Sequence, residues 1–210
     1  MAIIHKLETR DPRDSETFKL LGQNALSDES ILEEAFELID HENKNIRIGA
    51  MGIIREVADQ KPELVAERLD KIIETLQQKE RPTRWIATDI LACCAHLQPK
   101  KAEQALPRII KHVNIQEGTV LMVQTVRFLG AYGRIDKTKA VSVFPHLEKA
   151  LEEYPVNAIG FVLESFAEIA PLMDANRTSK LKTIAQSYLD NSTATIQKKA
   201  RKLHNVLLNK

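Results

Sequence analysis

Glycine and proline are scarce in this sequence, with seven and eight among 210 residues, and no Asn-Gly or Asp-Gly pair occurs. Without such turn punctuation a chain built mainly of hairpins is disfavoured. Aromatic residues make up only 5%, with a single tryptophan, Trp85. Cys93 and Cys94 are the only cysteines and are adjacent, which excludes a disulfide framework or a thiolate metal cluster. No apolar run is long enough to span a bilayer. The segment Met1-Ala2-Ile3-Ile4-His5-Lys6 lacks the apolar core of a signal peptide. These absences point to a cytoplasmic helical protein. With 43% hydrophobic residues it can bury a substantial core.

The formal net charge of +1 hides an asymmetry. Residues 1–44 carry five basic and eleven acidic side chains, a net of −6, and residues 176–210 carry eight basic and one acidic, a net of +7. Charged ends keep a repeat array soluble. They also suit end-specific contact with a partner.

Aligned apolar positions reveal an internal repeat. Leu32, Leu69, Leu106, Phe144 and Leu181 form one series at steps of 37, 37, 38 and 37 residues. Each is followed three and seven residues later by further apolar or small side chains, from Ala35 and Ile39 to Ile184 and Tyr188. That spacing marks the buried stripe of an amphipathic helix. A second stripe follows each first one. It reads Ala50, Ile53, Ile54, Val57, then Ala87, Ile90, Leu91, Cys94, then Thr125, Phe128, Leu129, Tyr132, then Val162, Ser165, Phe166, Ile169. The fifth copy, Lys199, Lys202, Leu203, Val206, is the most polar, as a terminal unit requires. The extra residue of the third unit falls most simply in the loop around Asn114–Gly118. The pattern predicts an all-α superhelix of five helix pairs. They span residues 29–61, 62–98, 99–135, 136–172 and 173–210 of one domain, behind a cap over residues 1–28 with a helix near 15–26. Ten helices are expected between residues 29 and 208.

Leu106-Pro107 and Phe144-Pro145 stand at equivalent places in their first helices. Asn45-Ile46-Arg47-Ile48-Gly49-Ala50 opens a second helix, and Arg84 repeats Arg47, although Met122 and Ile159 interrupt the arginine series. On these residues the chain resembles the HEAT-repeat family of HEAT-like and armadillo-like α-solenoids over residues 29–208. The resemblance implies that second helices line a concave face, and that two prolines in register bend the first helices alike. It says little about function.

If second helices line the groove, stepping off their stripe identifies its surface. One row reads Gly52, Asp89, Arg127, Glu164, Arg201 and alternates in sign after the glycine. It suits either a ladder of inter-repeat ion pairs or a polar track for a charged partner. A second row, Arg55, Ala92, Gly130, Ala167, His204, is small at its centre. These positions either pack against neighbouring helices or leave a floor for a partner's helix or strand. The third row is Ile48, Trp85, Val123, Gly160, Gln197. Trp85 either closes the gap between repeats or anchors a partner. The candidate partner-binding residues are therefore Trp85, Asp89, His96, Arg127, Arg134, Glu164 and Arg201.

Chemistry finds little support. The six histidines show no HExxH or other helical ligand pairing, and His41-Glu42 is a single His-Glu step where HEAT-like di-iron hydroxylases need several. There is no phosphate-cradling glycine loop and no nucleophile elbow. Trp85-Ile86-Ala87-Thr88-Asp89 resembles a motif of HEAT-like alkylpurine DNA glycosylases, with Arg127 as the groove arginine and Ile159-Gly160-Phe161 similar to their later segment. The second tryptophan is replaced by Phe161, Glu164 lies in the path of phosphates, and the chain lacks the positive charge DNA binding needs. The sequence reads as a non-catalytic protein-binding scaffold without metal or cofactor. A nucleic-acid-binding relative of the glycosylases is the alternative.

Overall fold

The computed structural model describes residues 3–8, 16–113 and 118–209, among which the regular structure is helical and contains no strand. The helices are α1 (Ile3–Glu8), α2 (Glu16–Ala25), α3 (Glu29–Leu38), α4 (Lys44–Gln60), α5 (Glu63–Ala66), α6 (Leu69–Thr75) and α7 (Arg81–Cys94). They continue as α8 (Pro99–Ile109), α9 (Thr119–Gly133), α10 (Lys137–Glu153), α11 (Val156–Ile169), α12 (Ala175–Tyr188) and α13 (Ala194–Leu208). Among the described residues no helix is long and apolar enough to cross a membrane.

Local chemistry sets the boundaries. Side-chain oxygens of Asp28, Asn43, Asp136 and Asp174 accept from backbone N–H groups in the first turns of α3, α4, α10 and α12. These bonds satisfy donors that a helix start leaves open. Gly118 precedes α9 at φ 83°, a left-handed conformation that glycine adopts without penalty. The prolines in register behave differently. Pro145 is absorbed inside α10, whereas α8 ends two residues after Pro107 in a 3-10 turn over Ile110–His112.

The helix count differs from expectation in one place. The first helix of the second pair is broken into α5 and α6, so among the described residues eleven α-helices occupy the stretch expected to hold ten. The break falls at Glu67-Arg68, where Arg68 pairs with Glu33 and lies 4.9 Å over the Phe36 ring of α3. Ahead of α3, α2 takes the place of the expected cap helix, and α1 is an addition. Ser15, at the start expected for that cap, and residues 114–117 of the expected insertion loop lie outside the described residues.

Packing divides the chain into two compact units, residues 1–101 and 102–210. In the first, α4 packs against α1, α2, α3 and α7, and α7 receives α5 and α6. Gly49 and Gly52 let other helices come close, since an added Cβ would meet Leu7 at 2.6 Å and Phe18 at 2.9 Å. In the second unit α11 packs between α9 and α13, with α10 against α9 and α11 and α12 against α13. Ser165 Oγ donates to the Val126 carbonyl at 2.8 Å, a bond from α11 to α9.

The first four second-helix stripes are buried throughout, from Ala50 to Ile169. The fifth stripe is corrected. In α13 the buried set is Ile196, Ala200, Leu203 and Leu207, while Lys202 is exposed and Lys199 half-exposed. Ala200, Leu203 and Leu207 follow Val162, Ser165 and Ile169 by 38 residues, not 37. The N-caps Asp136 and Asp174 of α10 and α12, and the first residues Val156 and Ala194 of α11 and α13, are likewise 38 apart, so the extra residue lies between α11 and α12. It rotates α13 by about 100° relative to the expected register.

Candidate functional site

Trp85 opens the second turn of α7, one helical turn before Asp89, so both side chains share a face. Their environments differ. Trp85 is half-exposed and, with Phe18, Ile48, Gly52, Pro82 and Ile86, walls a cavity of about 470 Å³ in the first unit. Lys44, Asn45, Arg55 and Glu80 supply its polar rim.

Asp89 was expected on an outward row, but it is only 2% exposed. Arg55 of α4 covers it, with Nε donating to Oδ2 at 2.5 Å and Nη1 donating to Glu56 Oε1 at 3.1 Å. Burial works to lower the Arg55 pKa, but the Asp89 hydrogen bond and charge outweigh it, so the guanidinium is held above its ordinary value. Gly52, at the head of the same row, is buried too, with Phe18 of α2 over it. A carboxylate this enclosed is a fastening between α4 and α7. The catalytic aspartate implied by the glycosylase resemblance would need an open approach.

The repeated arginines share one task. Arg47 Nη1 donates to the carbonyls of His41 and Glu42 at 2.7 and 2.8 Å, and Arg84 Nη1 to those of Gln78 and Lys79 at 3.2 Å each. Each ties a second helix to the loop that precedes it. Arg47 also pairs with Glu80, at the rim of the Trp85 cavity. Glu80 is held below the ordinary carboxyl range by its own backbone N–H, with Arg47 contributing against burial. The remaining first-unit candidate, His96, is exposed just beyond α7.

In the second unit Arg127 is exposed on α9 and Arg134 at its C-cap, and Arg127 Nη1 donates to Gln124 Oε1 at 3.0 Å. Glu164 of α11 was expected to meet Arg201. Instead Lys199 reaches it at 2.5 Å and Lys202 at 3.2 Å, and Arg201 is exposed and makes no ion pair with it. The shifted register explains this, because Lys202 is the residue 38 positions after Glu164. Burial pushes the Glu164 carboxyl up, but the two lysines prevail and hold it below its usual range.

Glu168 escaped the sequence reading. It sits one turn beyond Glu164, half-buried, with Oε2 3.0 Å from where a Cβ on Gly130 would be. Burial raises its pKa, Glu164 adds to the rise, and Arg134, Lys202 and Arg127 oppose it. The available signal was Gly130 itself, 38 residues earlier, whose missing side chain makes room for a carboxylate. Of the central small row, Ala92, Gly130 and Ala167 are all buried. Packing therefore accounts for their size.

Among the described residues no group of three or more His, Cys, Asp or Glu side chains could hold a metal ion. Cys94 is fully buried, and burial pushes its thiol up to about 12, far from a reactive thiolate.

No family model matches the chain, and no curated protein matches its sequence. Solved structures do match. A designed armadillo repeat protein is similar at a TM-score of 0.73 with 15% identity, over 98% of each chain. A second designed armadillo repeat protein, solved in complex with the peptide (KR)4, has the same score, identity and coverage. The fold is that of an armadillo- and HEAT-like α-solenoid. A HEAT-like repeats protein from the archaeon Thermococcus onnurineus NA1 is similar to this solenoid at 0.54 with 14% identity, over 95% of this chain and 99% of that one.

Proposed function

We propose that the solenoid is a non-catalytic scaffold that binds another polypeptide on the side formed by its second helices, with Trp85 as an anchor. The Trp85 cavity carries this reading. It is large enough for one or two side chains, and its walls are mainly apolar. Its main rim charges are already engaged, Arg55 by Asp89 and Glu80 by Arg47. An entering apolar side chain would desolvate few groups that lack partners. An amphipathic aromatic residue in such a setting is a typical hot spot. The peptide complex of the similar designed armadillo protein supports the use of this fold for peptides.

In this reading Asp89 positions Arg55. His96 in the first unit, and Arg127, Arg134, Glu164 and Arg201 in the second, are candidate polar contacts each within its own unit, and the sequence repeats act as units of one domain. The same reading places the chain at work in the cytoplasm.

Trp85 is the only tryptophan, so its fluorescence reports directly on the site. Peptides selected from a random displayed library against the wild-type chain should shift its emission on titration. Trp85→Ala should weaken them by about 2 kcal/mol or more, roughly 30-fold, with helical content unchanged. Selected peptides that leave the emission unaltered and bind Trp85→Ala equally well would refute the assignment.

A further inference from the structure

The second unit carries a surface of different chemistry, well apart in sequence from Trp85. Along α13, Lys198, Lys199, Arg201 and Lys202 border a concavity of about 580 Å³ in which Glu164 is the one carboxylate. Lys199 and Lys202 share that single acid, and Lys198 and Arg201 are exposed with no ion-pair partner among the described residues. The corrected register of α13 creates this arrangement. Turning Ala200 and Leu203 inward presents four cations within five consecutive positions around the rest of the helix. Val206 adds apolar surface to the concavity, and the same two helices carry the exposed apolar residues Phe161 on α11, 39% exposed, and Leu208 on α13, 66% exposed.

We propose that this face of α11 and α13 docks an acidic polypeptide segment, one that alternates carboxylates with apolar side chains. Charge complementarity selects the sign of the partner, because four cations facing one carboxylate repel a basic peptide and attract an acidic one. The retained acids separate a peptide from a nucleic acid. Glu164 stands within the concavity and Glu168 lies one turn further along α11, so an evenly charged phosphate chain would meet carboxylates. A peptide can place neutral or apolar residues there. The inference adds a partner class to the scaffold reading and takes from it only that the chain binds polypeptide.

The test is fluorescence anisotropy of a labelled acidic octapeptide of alternating Glu and Leu on the full chain. A Lys-Leu octapeptide and an eight-nucleotide single-stranded oligothymidylate serve as competing probes. The acidic peptide should bind best and weaken about tenfold between roughly 0.05 and 0.3 M salt. Lys198→Glu/Arg201→Glu changes two exposed, unpaired positions and should weaken it a further tenfold or more. Lys137→Glu/Lys182→Glu makes the same change in net charge at exposed positions of α10 and α12 and should leave affinity within about twofold. Equal losses in both double variants would reduce the effect to net charge and overturn the proposal, as would tighter binding of the oligonucleotide or of the basic peptide. Absence of acidic-peptide binding, with the Trp85 emission still answering its own selected peptides, would sink this inference and leave the scaffold reading intact. Failure of both would remove the two together.

Discussion

Replacing Glu164 by glutamine tests the register of α13 and the electrostatics of its face in one experiment. The carboxylate is 30% exposed and is held by Lys199 at 2.5 Å, itself 32% exposed, and by Lys202 at 3.2 Å, 53% exposed. Exposed pairs contribute about 0.2–1 kcal/mol each, and solvent reaches all three side chains. Glu164→Gln should therefore cost about 0.5–1.5 kcal/mol near neutral pH, a fall of roughly 1–5 °C in Tm for a chain of this length. The sign of the pH dependence follows from the lowered carboxyl pKa. The folded state holds this proton less tightly than the unfolded state, so the contribution is present above the unfolded pKa of about 4.3 and is lost as pH falls through the lower folded value. The variant and wild type should converge in acid and be fully separated from about pH 5 upward. Thermal unfolding followed by circular dichroism between about pH 3 and 7 measures this, and added salt should narrow the gap. Lys199→Ala and Lys202→Ala should each cost a part of the same energy, whereas Arg201→Ala should stay within about 0.5 kcal/mol of wild type. A cost for Arg201→Ala equal to that of Lys199→Ala, or a Glu164→Gln deficit that persists unchanged in acid, would refute the reasoning.

Two glycines on neighbouring helices should respond to alanine in opposite directions. Gly160→Ala adds a Cβ that meets Lys199 Cγ at 3.8 Å, an ordinary contact, and relief of the glycine penalty should stabilise by about 0.5–1 kcal/mol in urea unfolding. Gly133→Ala places its Cβ 2.7 Å from methyl groups of both Val143 and Ile169, and overpacking should destabilise by about 1–3 kcal/mol in the same assay. Phe166 is fully buried, 5.6 Å from the Phe144 ring centre, so Phe166→Ala should cost about 3–5 kcal/mol; a loss under 1 kcal/mol would place that ring outside the core. In a thiol titration of the native protein near pH 8, Cys94 should stay unreactive until the chain unfolds, and reaction of both thiols at one fast rate would contradict its burial.

Much of this molecule follows from local patterns. The spacing of Leu32, Leu69, Phe144 and Leu181 specifies amphipathic helices, because the helical period decides which side chains can share one buried face. The stripes from Ala50 to Ile169 were legible for the same reason, and the break at Glu67-Arg68 was not, since it coincides with contacts that Arg68 makes on another helix. The fifth stripe could have been read correctly. Ile196, Ala200, Leu203 and Leu207 form a more apolar helical face than the lysine-bearing alternative, but extending the last step of 37 concealed it.

Site chemistry was only partly legible. Trp85 stood out as the single tryptophan at the start of a second helix, and the cavity around it draws Phe18 from a helix that carries no repeat signal. Asp89 looked outward by periodicity, yet Arg55, 34 residues away, closes over it. Glu168 had no prominence until Gly130 was found beneath it. Helix identity and repeat length thus lie in the sequence itself, because they depend on neighbours within a few turns. Which charges pair, which are enclosed and which remain open to a partner was decided by tertiary packing, because those contacts join residues some 34–39 positions apart, where one inserted residue turns a whole helix face.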